Sequence, residues 1–208
     1  MGSGRADRRQ PRRRARPGFL ATHPLAAKIE AVHRSLDEAG VPHAFGGALA
    51  LAFYAEPRET KDIDVNVFMS VKRWPKARDA LVPLGVDIEI DEVDLETKAQ
   101  VKLGWEESPL HLFFSQDALH KEMELKIRNV SYEGLTIPLV APEHLVIRKA
   151  LLDRTKDWLD IERILLATSP IDLGEIESWM EQMVGVDDPR LAKLVAASLG
   201  AFGEFGPL

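Results

Sequence analysis

Residues 62–68, Asp-Ile-Asp-Val-Asn-Val-Phe, alternate polar and apolar side chains, and this segment constrains the fold more than any other. A period of two predicts a half-buried β-strand, because successive side chains of a strand point to opposite faces of the sheet. Asp62, Asp64 and Asn66 then share the polar face. Two carboxylates this close repel each other, so we expect a cation or a nearby base to offset the repulsion. An exposed strand face, where water screens the charges, is the plainer alternative.

A glycine turn precedes this strand in the chain. Residues 42–45 predict a short strand, Gly46-Gly47 end it, and residues 48–53, Ala-Leu-Ala-Leu-Ala-Phe, begin a helix with strong helix formers. A glycine turn at a helix N-terminus lets phosphate oxygens approach backbone N–H groups and the positive end of the helix. Two glycines alone are more often plain turn geometry than a phosphate site.

The remaining patterns predict an α/β half followed by a helical half. Helical spacing predicts helices over residues 24–39, 72–82, 93–102, 142–152, 155–167, 172–183 and 188–200. Strand patterns fall at residues 86–90 and 109–114, and a hairpin is predicted from residues 125–130 and 135–140. We therefore predict three parts: a disordered basic arm over residues 1–20, an α/β core over residues 21–140, and a helical portion over residues 141–208 that packs on the core.

Composition excludes several kinds of site. The chain of 208 residues has no cysteine, which excludes disulfides, thiolate nucleophiles and cysteine-ligated zinc, and carboxylate or imidazole ligands favour a hard cation such as Mg²⁺. No apolar run reaches the ~18–20 residues that cross a bilayer, so we expect no membrane partner and a cytoplasmic location.

Charge is divided unevenly along the chain. Residues 1–17 carry seven Arg and one Asp, which is +6, so the net charge of −6 leaves −12 for residues 18–208. An arm this charged and this poor in apolar residues is predicted to be disordered. It is either a phosphate-binding segment or an extension without a function of its own.

Together these motifs resemble the signature of the nucleotidyltransferase superfamily. Residues 45–51 (Phe-Gly-Gly-Ala-Leu-Ala-Leu) and 58–65 (Arg-Glu-Thr-Lys-Asp-Ile-Asp-Val) stand where the family has a glycine turn followed by two spaced carboxylates. Residues 142–145 (Pro-Glu-His-Leu) and 148–161 are similar to helices of the AbiEii/MenT-type branch, which contains toxins of toxin–antitoxin pairs. The resemblance spans about residues 24–167. It implies an α/β (α+β) nucleotidyltransferase fold, with a small mixed β-sheet, flanking helices and a C-terminal helical half.

The resemblance also implies an activity: magnesium-dependent transfer of a nucleoside monophosphate from a nucleoside triphosphate to a hydroxyl acceptor. By resemblance, Asp62 and Asp64 hold Mg²⁺, and Asp157 or Asp160 orients the acceptor or the neighbouring cations. The residues expected to bind the nucleotide are Gly46, Gly47, Arg58, Thr60, Lys61, Lys149 and Arg154. In this branch the acceptor would be the tRNA 3′ end, transfer would inhibit growth, and a cognate antitoxin protein would be a partner.

One position departs from the family pattern. Many members place a third carboxylate on a later strand, where it deprotonates the attacking hydroxyl, and the matching position here is His111. Histidine can accept a proton near neutral pH, although it cannot neutralise a second Mg²⁺. His111 is therefore a base or ligand, a substrate contact, or a structural side chain in a weak or inactive enzyme. Asp117, Glu122 and Glu124 are other sources of the missing charge.

The acceptor is left open by the sequence. The acidic body fits a small aminoglycoside- or lincosamide-like acceptor, and a non-catalytic nucleotide- or protein-binding module is a further alternative. A tRNA acceptor requires basic side chains gathered on one face, for which the candidates are Lys121, Lys126, Arg128, Arg148, Lys149, Arg154 and Lys156. Thr60 is also a candidate site of regulatory phosphorylation, since a phosphate there would oppose the nearby carboxylates; its plainer role is a β-branched residue at a strand entrance.

Overall fold

Six strands form one mixed sheet in the computed structural model, which describes residues 24–200. The strands are β1 His43–Phe45, β2 Ile63–Val67, β3 Gln100–Leu103, β4 Leu110–Phe114, β5 Arg128–Tyr132 and β6 Leu135–Leu139. Their order is β3-β4-β2-β1-β6-β5. β2 pairs antiparallel with β1 and parallel with β4, while β6 pairs parallel with β1. The arm predicted over residues 1–20 lies outside the described residues.

Nine α-helices flank the sheet within residues 24–200. They are α1 Pro24–Glu38, α2 Gly47–Tyr54, α3 Trp74–Leu81, α4 Glu92–Lys98, α5 Ala118–Leu125, α6 Pro142–Leu152, α7 Thr155–Ala167, α8 Leu173–Val184 and α9 Pro189–Ser198. Three of these helices have an aspartate N-cap. Asp117, Asp172 and Asp188 each accept a hydrogen bond from a backbone N–H of the first turn.

The two faces of the sheet have different environments. Alternate residues such as Phe45, Val65 and Leu112 join a buried apolar cluster with helices α1 and α3. On the opposite face, Ala44 joins a second cluster with residues of α2 and α5–α9. The polar residues of β2 and β4 lie on that second face, where the apolar cluster ends. They can therefore line a cleft.

The predicted mixed sheet with flanking helices and a helical C-terminal half is confirmed. The hairpin is also confirmed, because β5 and β6 pair antiparallel around Glu133-Gly134. All four predicted helices after residue 141 are present. The division into parts at residue 141 stays a prediction.

Two elements were predicted wrongly. Residues 86–90 form only an isolated bridge from Asp87 to Gly104 rather than a strand. The helix predicted over residues 93–102 ends at Lys98, since Ala99 has a φ of 44°, and residues 100–103 form β3 at the edge of the sheet. β3 forms because it pairs with β4. This pairing is a tertiary interaction, which local helix propensity does not predict.

Candidate active site

A cleft of about 390 Å³ opens at the polar face of β2 and β4, between the glycine turn and helices α6 and α7. Most of the residues predicted for the site line it: Gly46, Gly47, Arg58, Thr60, Asp62, Asp64, His111, Lys149, Arg154 and Asp157. Two predicted residues lie outside the lining. Lys61 points to Glu107, with its Nζ 3.3 Å from the Glu107 Oε2, and Asp160 is buried beneath the cleft.

The glycine turn lies directly against the carboxylate of Asp64. The Gly46 N–H donates a hydrogen bond to the Asp64 carbonyl oxygen at 2.9 Å. Gly47 has a φ of +53°, and a Cβ placed on it would lie 1.8 Å from the Asp64 Oδ2. Gly46 is the N-cap of α2 and has no side chain to accept from the first-turn N–H groups. Those N–H groups therefore face the same small space as the carboxylate and can bind an anion.

Asp62 and Asp64 are the carboxylates that a cation could use. Asp62 is exposed immediately before β2, and its N–H donates to the Thr60 hydroxyl at 3.2 Å. Within residues 24–200, no group of three or more His, Asp or Glu side chains is arranged to hold a metal ion. Two carboxylates beside an anion-binding turn nevertheless fit Mg²⁺, which takes one or two carboxylates and completes its shell with water and substrate phosphate oxygens.

His111 lies next to Asp64 on the neighbouring strand. The two residues are directly opposite in the parallel pairing of β2 and β4, and the His111 Nδ1 is 3.4 Å from the Asp64 Oδ1. The Nε2 of His111 is buried and has no hydrogen-bond partner among the described residues. The other sources proposed for the missing charge lie elsewhere: Asp117 accepts from His120, Glu122 pairs with Lys126, and Glu124 is outside the cleft lining.

A buried ion-pair network joins α6 to α7. The Lys149 Nζ lies 2.6 Å from the Asp160 Oδ2 and 3.4 Å from the Asp157 Oδ1, and both aspartates are 1% exposed. Arg154 donates to Asp157 at 2.5 Å, and this hydrogen bond raises the pKa of Arg154 above its ordinary value. Arg58 reaches Asp160 at 3.3 Å from the loop before β2. Lys149 is thus held by carboxylates at the floor of the cleft.

The architecture matches solved structures of nucleotidyltransferases. One is the antibiotic-resistance factor ANT(2″)-Ia, with 15% identity over 76% of this chain and 90% of that chain, and a TM-score of 0.54. Another is the lincosamide antibiotic adenylyltransferase LnuA bound to lincomycin, with 15% identity over 72% of this chain and 100% of that chain, and a TM-score of 0.50.

The chain has the nucleotidyltransferase fold. At this level of identity the likeness establishes the fold and not the substrate. No protein-family model and no curated protein sequence matches the chain, so the AbiEii/MenT branch stays a prediction. None of the helices within residues 24–200 is both long enough and apolar enough to cross a bilayer.

Asn66, Gln100 and Phe113 line this cleft but were not assigned to the site from the sequence, and Arg148 was named only as a candidate for a basic face. Two of them carry a signal, because Asn66 follows Asp64 and Phe113 follows His111 by two residues, which places each pair on one face of its strand. Gln100 was missed because it lies on β3, where a helix was predicted.

The cleft is more cationic than the body of the chain. Five cationic side chains line it, namely Arg58, Arg148, Lys149, Arg154 and Lys156, against the three carboxylates of Asp62, Asp64 and Asp157. Of the other basic candidates, Lys126 pairs with Glu122 at 3.0 Å and Glu175 at 2.8 Å, and Lys121 and Arg128 lie outside the lining. The basic candidates on α6 and at the start of α7 thus gather at the site, while Lys121, Lys126 and Arg128 do not.

Proposed function

We propose that this protein transfers a nucleoside monophosphate from a nucleoside triphosphate to a hydroxyl acceptor and releases pyrophosphate. One observation carries the proposal: the Asp64 carboxylate lies against the Gly46-Gly47 turn so closely that no side chain fits between them. An anion-binding helix start and a cation-binding carboxylate that share one space suit a metal-bound triphosphate.

Seven residues of the cleft have a direct role in this proposed reaction. The Gly46-Gly47 turn seats the triphosphate through the uncapped backbone N–H groups of the first turn of α2, and Arg58 and Arg154 offer positive charge at the same cleft. Asp62 and Asp64 would hold Mg²⁺, which neutralises charge on the phosphates. His111 Nδ1 takes the proton of the attacking hydroxyl as its oxygen bonds to the α-phosphorus and the bond to pyrophosphate breaks. Asp64, 3.4 Å away, stabilises the resulting imidazolium.

We propose the tRNA 3′ end as the acceptor, with growth inhibition as the result and a cognate antitoxin as the partner. The support is the branch resemblance of residues 142–161 and the excess of cationic side chains in the cleft of a chain whose residues 18–208 carry −12. Positive charge gathered in a cleft favours a polyanionic acceptor.

A small-molecule acceptor is the second candidate. It is favoured by ANT(2″)-Ia, whose structure holds adenylyl-2″-tobramycin and aligns with 77% of this chain at 14% identity and a TM-score of 0.50, and by lincomycin-bound LnuA. A cationic aminoglycoside, however, would meet a cleft lined by five cationic side chains.

The test is incubation of the protein with Mg²⁺, total tRNA and each labelled nucleoside triphosphate in turn. We expect label on RNA with the wild type and with Asp79→Asn, which makes the same change at an exposed residue of α3, and none with Asp64→Asn. Parallel reactions contain an aminoglycoside or a lincosamide in place of tRNA, and label on either of these, with none on tRNA, would favour the second candidate. Nucleotide binding without pyrophosphate release would identify a non-catalytic module.

A further inference from the structure

Arg148 stands apart from the other cations of the cleft. Its guanidinium carbon lies 5.7 Å from the centre of the Phe113 ring, and the side chain is half-buried in the cleft wall. No residue within 24–200 forms a hydrogen bond or an ion pair with it, whereas Lys149, Arg154 and Arg58 are each held by a carboxylate. Lys156, the remaining cation of the cleft, also makes no ion pair among the described residues, but it is exposed to water. A guanidinium has five N–H donors, so Arg148 keeps its donors for a ligand.

The surroundings of Arg148 compensate its charge only in part. Burial lowers the pKa of Arg148, and the acidic group that opposes this effect is Asp117. The Asp117 Oδ1 is already used by the His120 N–H at 2.9 Å and by the His120 Nδ1 at 3.0 Å. Because a desolvated charge without a hydrogen-bonded partner is costly, this position is suited to an anionic group that arrives with a ligand.

The strand order places Arg148 on the acceptor side of the cleft. β2, which carries Asp64, lies between β1 and β4. The glycine turn follows β1 on one side of β2, while Phe113, beneath Arg148, belongs to β4 on the other. The attacking and leaving oxygens of a phosphoryl transfer are roughly in line. A triphosphate seated at the glycine turn therefore leaves the β4 side, with His111, to the attacking hydroxyl.

We propose that Arg148, stacked on Phe113, binds a phosphodiester of a nucleic-acid acceptor across Asp64 from the triphosphate. The inference rests on the proposed function, because it takes the glycine turn as the seat of the triphosphate. In this proposal one side chain, that of Arg148, selects a phosphate-bearing acceptor over a cationic small molecule, which the fold alone does not do. Arg148 is a binding residue here, and it takes no proton in the reaction.

The test compares Arg148→Gln and Arg148→Lys with Arg73→Gln, which removes an exposed arginine outside the cleft. We expect Arg148→Gln to raise the KM for total tRNA about tenfold and to leave the KM for the nucleotide within about twofold, as loss of one charged contact to the acceptor predicts. The slope of log binding constant for tRNA against log salt falls by about one. Arg148→Lys restores most of the affinity, and Arg73→Gln changes nothing.

Two results would overturn the inference. A higher KM for the nucleotide with an unchanged KM for tRNA would assign Arg148 to the triphosphate, and unchanged values for both would make it a structural residue. If Arg148→Gln loses its cooperative unfolding transition, Phe113→Leu replaces it, because removing the ring displaces the guanidinium without removing its charge. We expect that variant to raise the KM for tRNA about threefold.

Direct binding separates this inference from the proposed function. Equilibrium binding of total tRNA is measured without nucleotide, on wild type and Arg148→Gln. If the wild type transfers no label but binds tRNA, and Arg148→Gln weakens that binding, the proposed reaction fails while the anion site stands. If both proteins bind tRNA equally, the anion site fails whether or not transfer is observed.

Discussion

At the scale of single residues, the site depends on one position where no side chain fits. Gly47 combines a left-handed backbone conformation, which glycine adopts without cost, with a carboxylate oxygen in the place of its missing Cβ. The same carboxylate is 3.4 Å from His111. Any residue larger than glycine at position 47 must therefore move the groups that we assign to metal and proton transfer.

We predict that Gly47→Ala lowers kcat by at least about a hundredfold, because a shift of Asp64 by about 1 Å is enough for such a loss. The matched control is Gly85→Ala. Gly85 has a φ of +75° with nothing within 4 Å of an added Cβ, so this change costs only the ~1–2 kcal/mol of the left-handed conformation. Turnover and urea unfolding of both variants are measured. Equal turnover in the two variants would contradict the assignment of the glycine turn to the site.

Several of these residues were predictable because strand alternation is local. Asp64 and Asn66, or His111 and Phe113, are two residues apart and must share a face once the strand is recognised. The sequence does not show which partners occupy a side chain. Arg148 and Lys149 are adjacent in the chain, yet Lys149 is tied to Asp157 and Asp160 while Arg148 makes no ion pair among the described residues.

At the scale of elements, helices α6 and α7 are fixed to each other by buried charge. The Lys149 ammonium joins the two by its contacts with Asp157 and Asp160, which are both almost fully buried. A buried pair adds little net stability when it is complete, but removing one member leaves the other charge uncompensated. The orientation of α7, and of Arg154 at its start, thus depends on Lys149.

We predict that Lys149→Met lowers the free energy of unfolding by about 3–5 kcal/mol, the cost of breaking a buried pair. Lys126→Met is the control, since Lys126 is 44% exposed in its pairs with Glu122 and Glu175 and should cost no more than about 1 kcal/mol. Urea unfolding gives both values. If Lys149→Met abolishes turnover but leaves stability unchanged, Lys149 serves a ligand rather than the two helices.

Elements with strong local signals were predicted well, and an edge strand was not. The helices after residue 141 have both apolar periodicity and start signals such as Pro142 and Asp188, so their bounds differ from prediction by at most a few residues. β3 is short and lies at the edge of the sheet, and its partner β4 supplies the hydrogen bonds. The sequence of β3, Gln-Val-Lys-Leu, alternates polar and apolar residues as a strand does, but this pattern covers only four residues.

At the scale of the whole molecule, three buried histidines link stability to pH. His43, His120 and His144 are each less than 9% exposed, and burial is the main cause that lowers the pKa of each. His144 lies on α6 and is fully buried against α8, with its Nε2 3.3 Å from the Glu175 Oε1. Burial lowers the pKa of His144, and the nearby Lys126 acts in the same direction; together they outweigh Glu175, Glu143 and Glu122, which favour the charged form.

The sign of the pH dependence follows from those shifts. An unfolded histidine has a pKa of about 6.5, so between this value and the lower folded pKa the unfolded chain binds more protons than the folded chain. The stability from the three neutral histidines is fully present above pH ~6.5 and is lost as the pH falls below it, by at most about 1.4 kcal/mol per pH unit for each residue. Hydrogen bonds from Arg190 lower the pKa of Asp188 to about 2, so Asp188 contributes only at lower pH.

We therefore predict a free energy of unfolding that is flat from pH 8 to 7 and falls from pH 6.5 to 5, measured by urea unfolding at each pH. His144→Gln keeps a polar group near Glu175 but removes one titration, so its slope below pH 6.5 should be smaller than that of the wild type. A wild-type protein as stable at pH 5 as at pH 7 would mean that these histidines are protonated in the folded chain. The link between burial and acid sensitivity would then fail for α6, which lines the cleft, and for α8, which packs against α6.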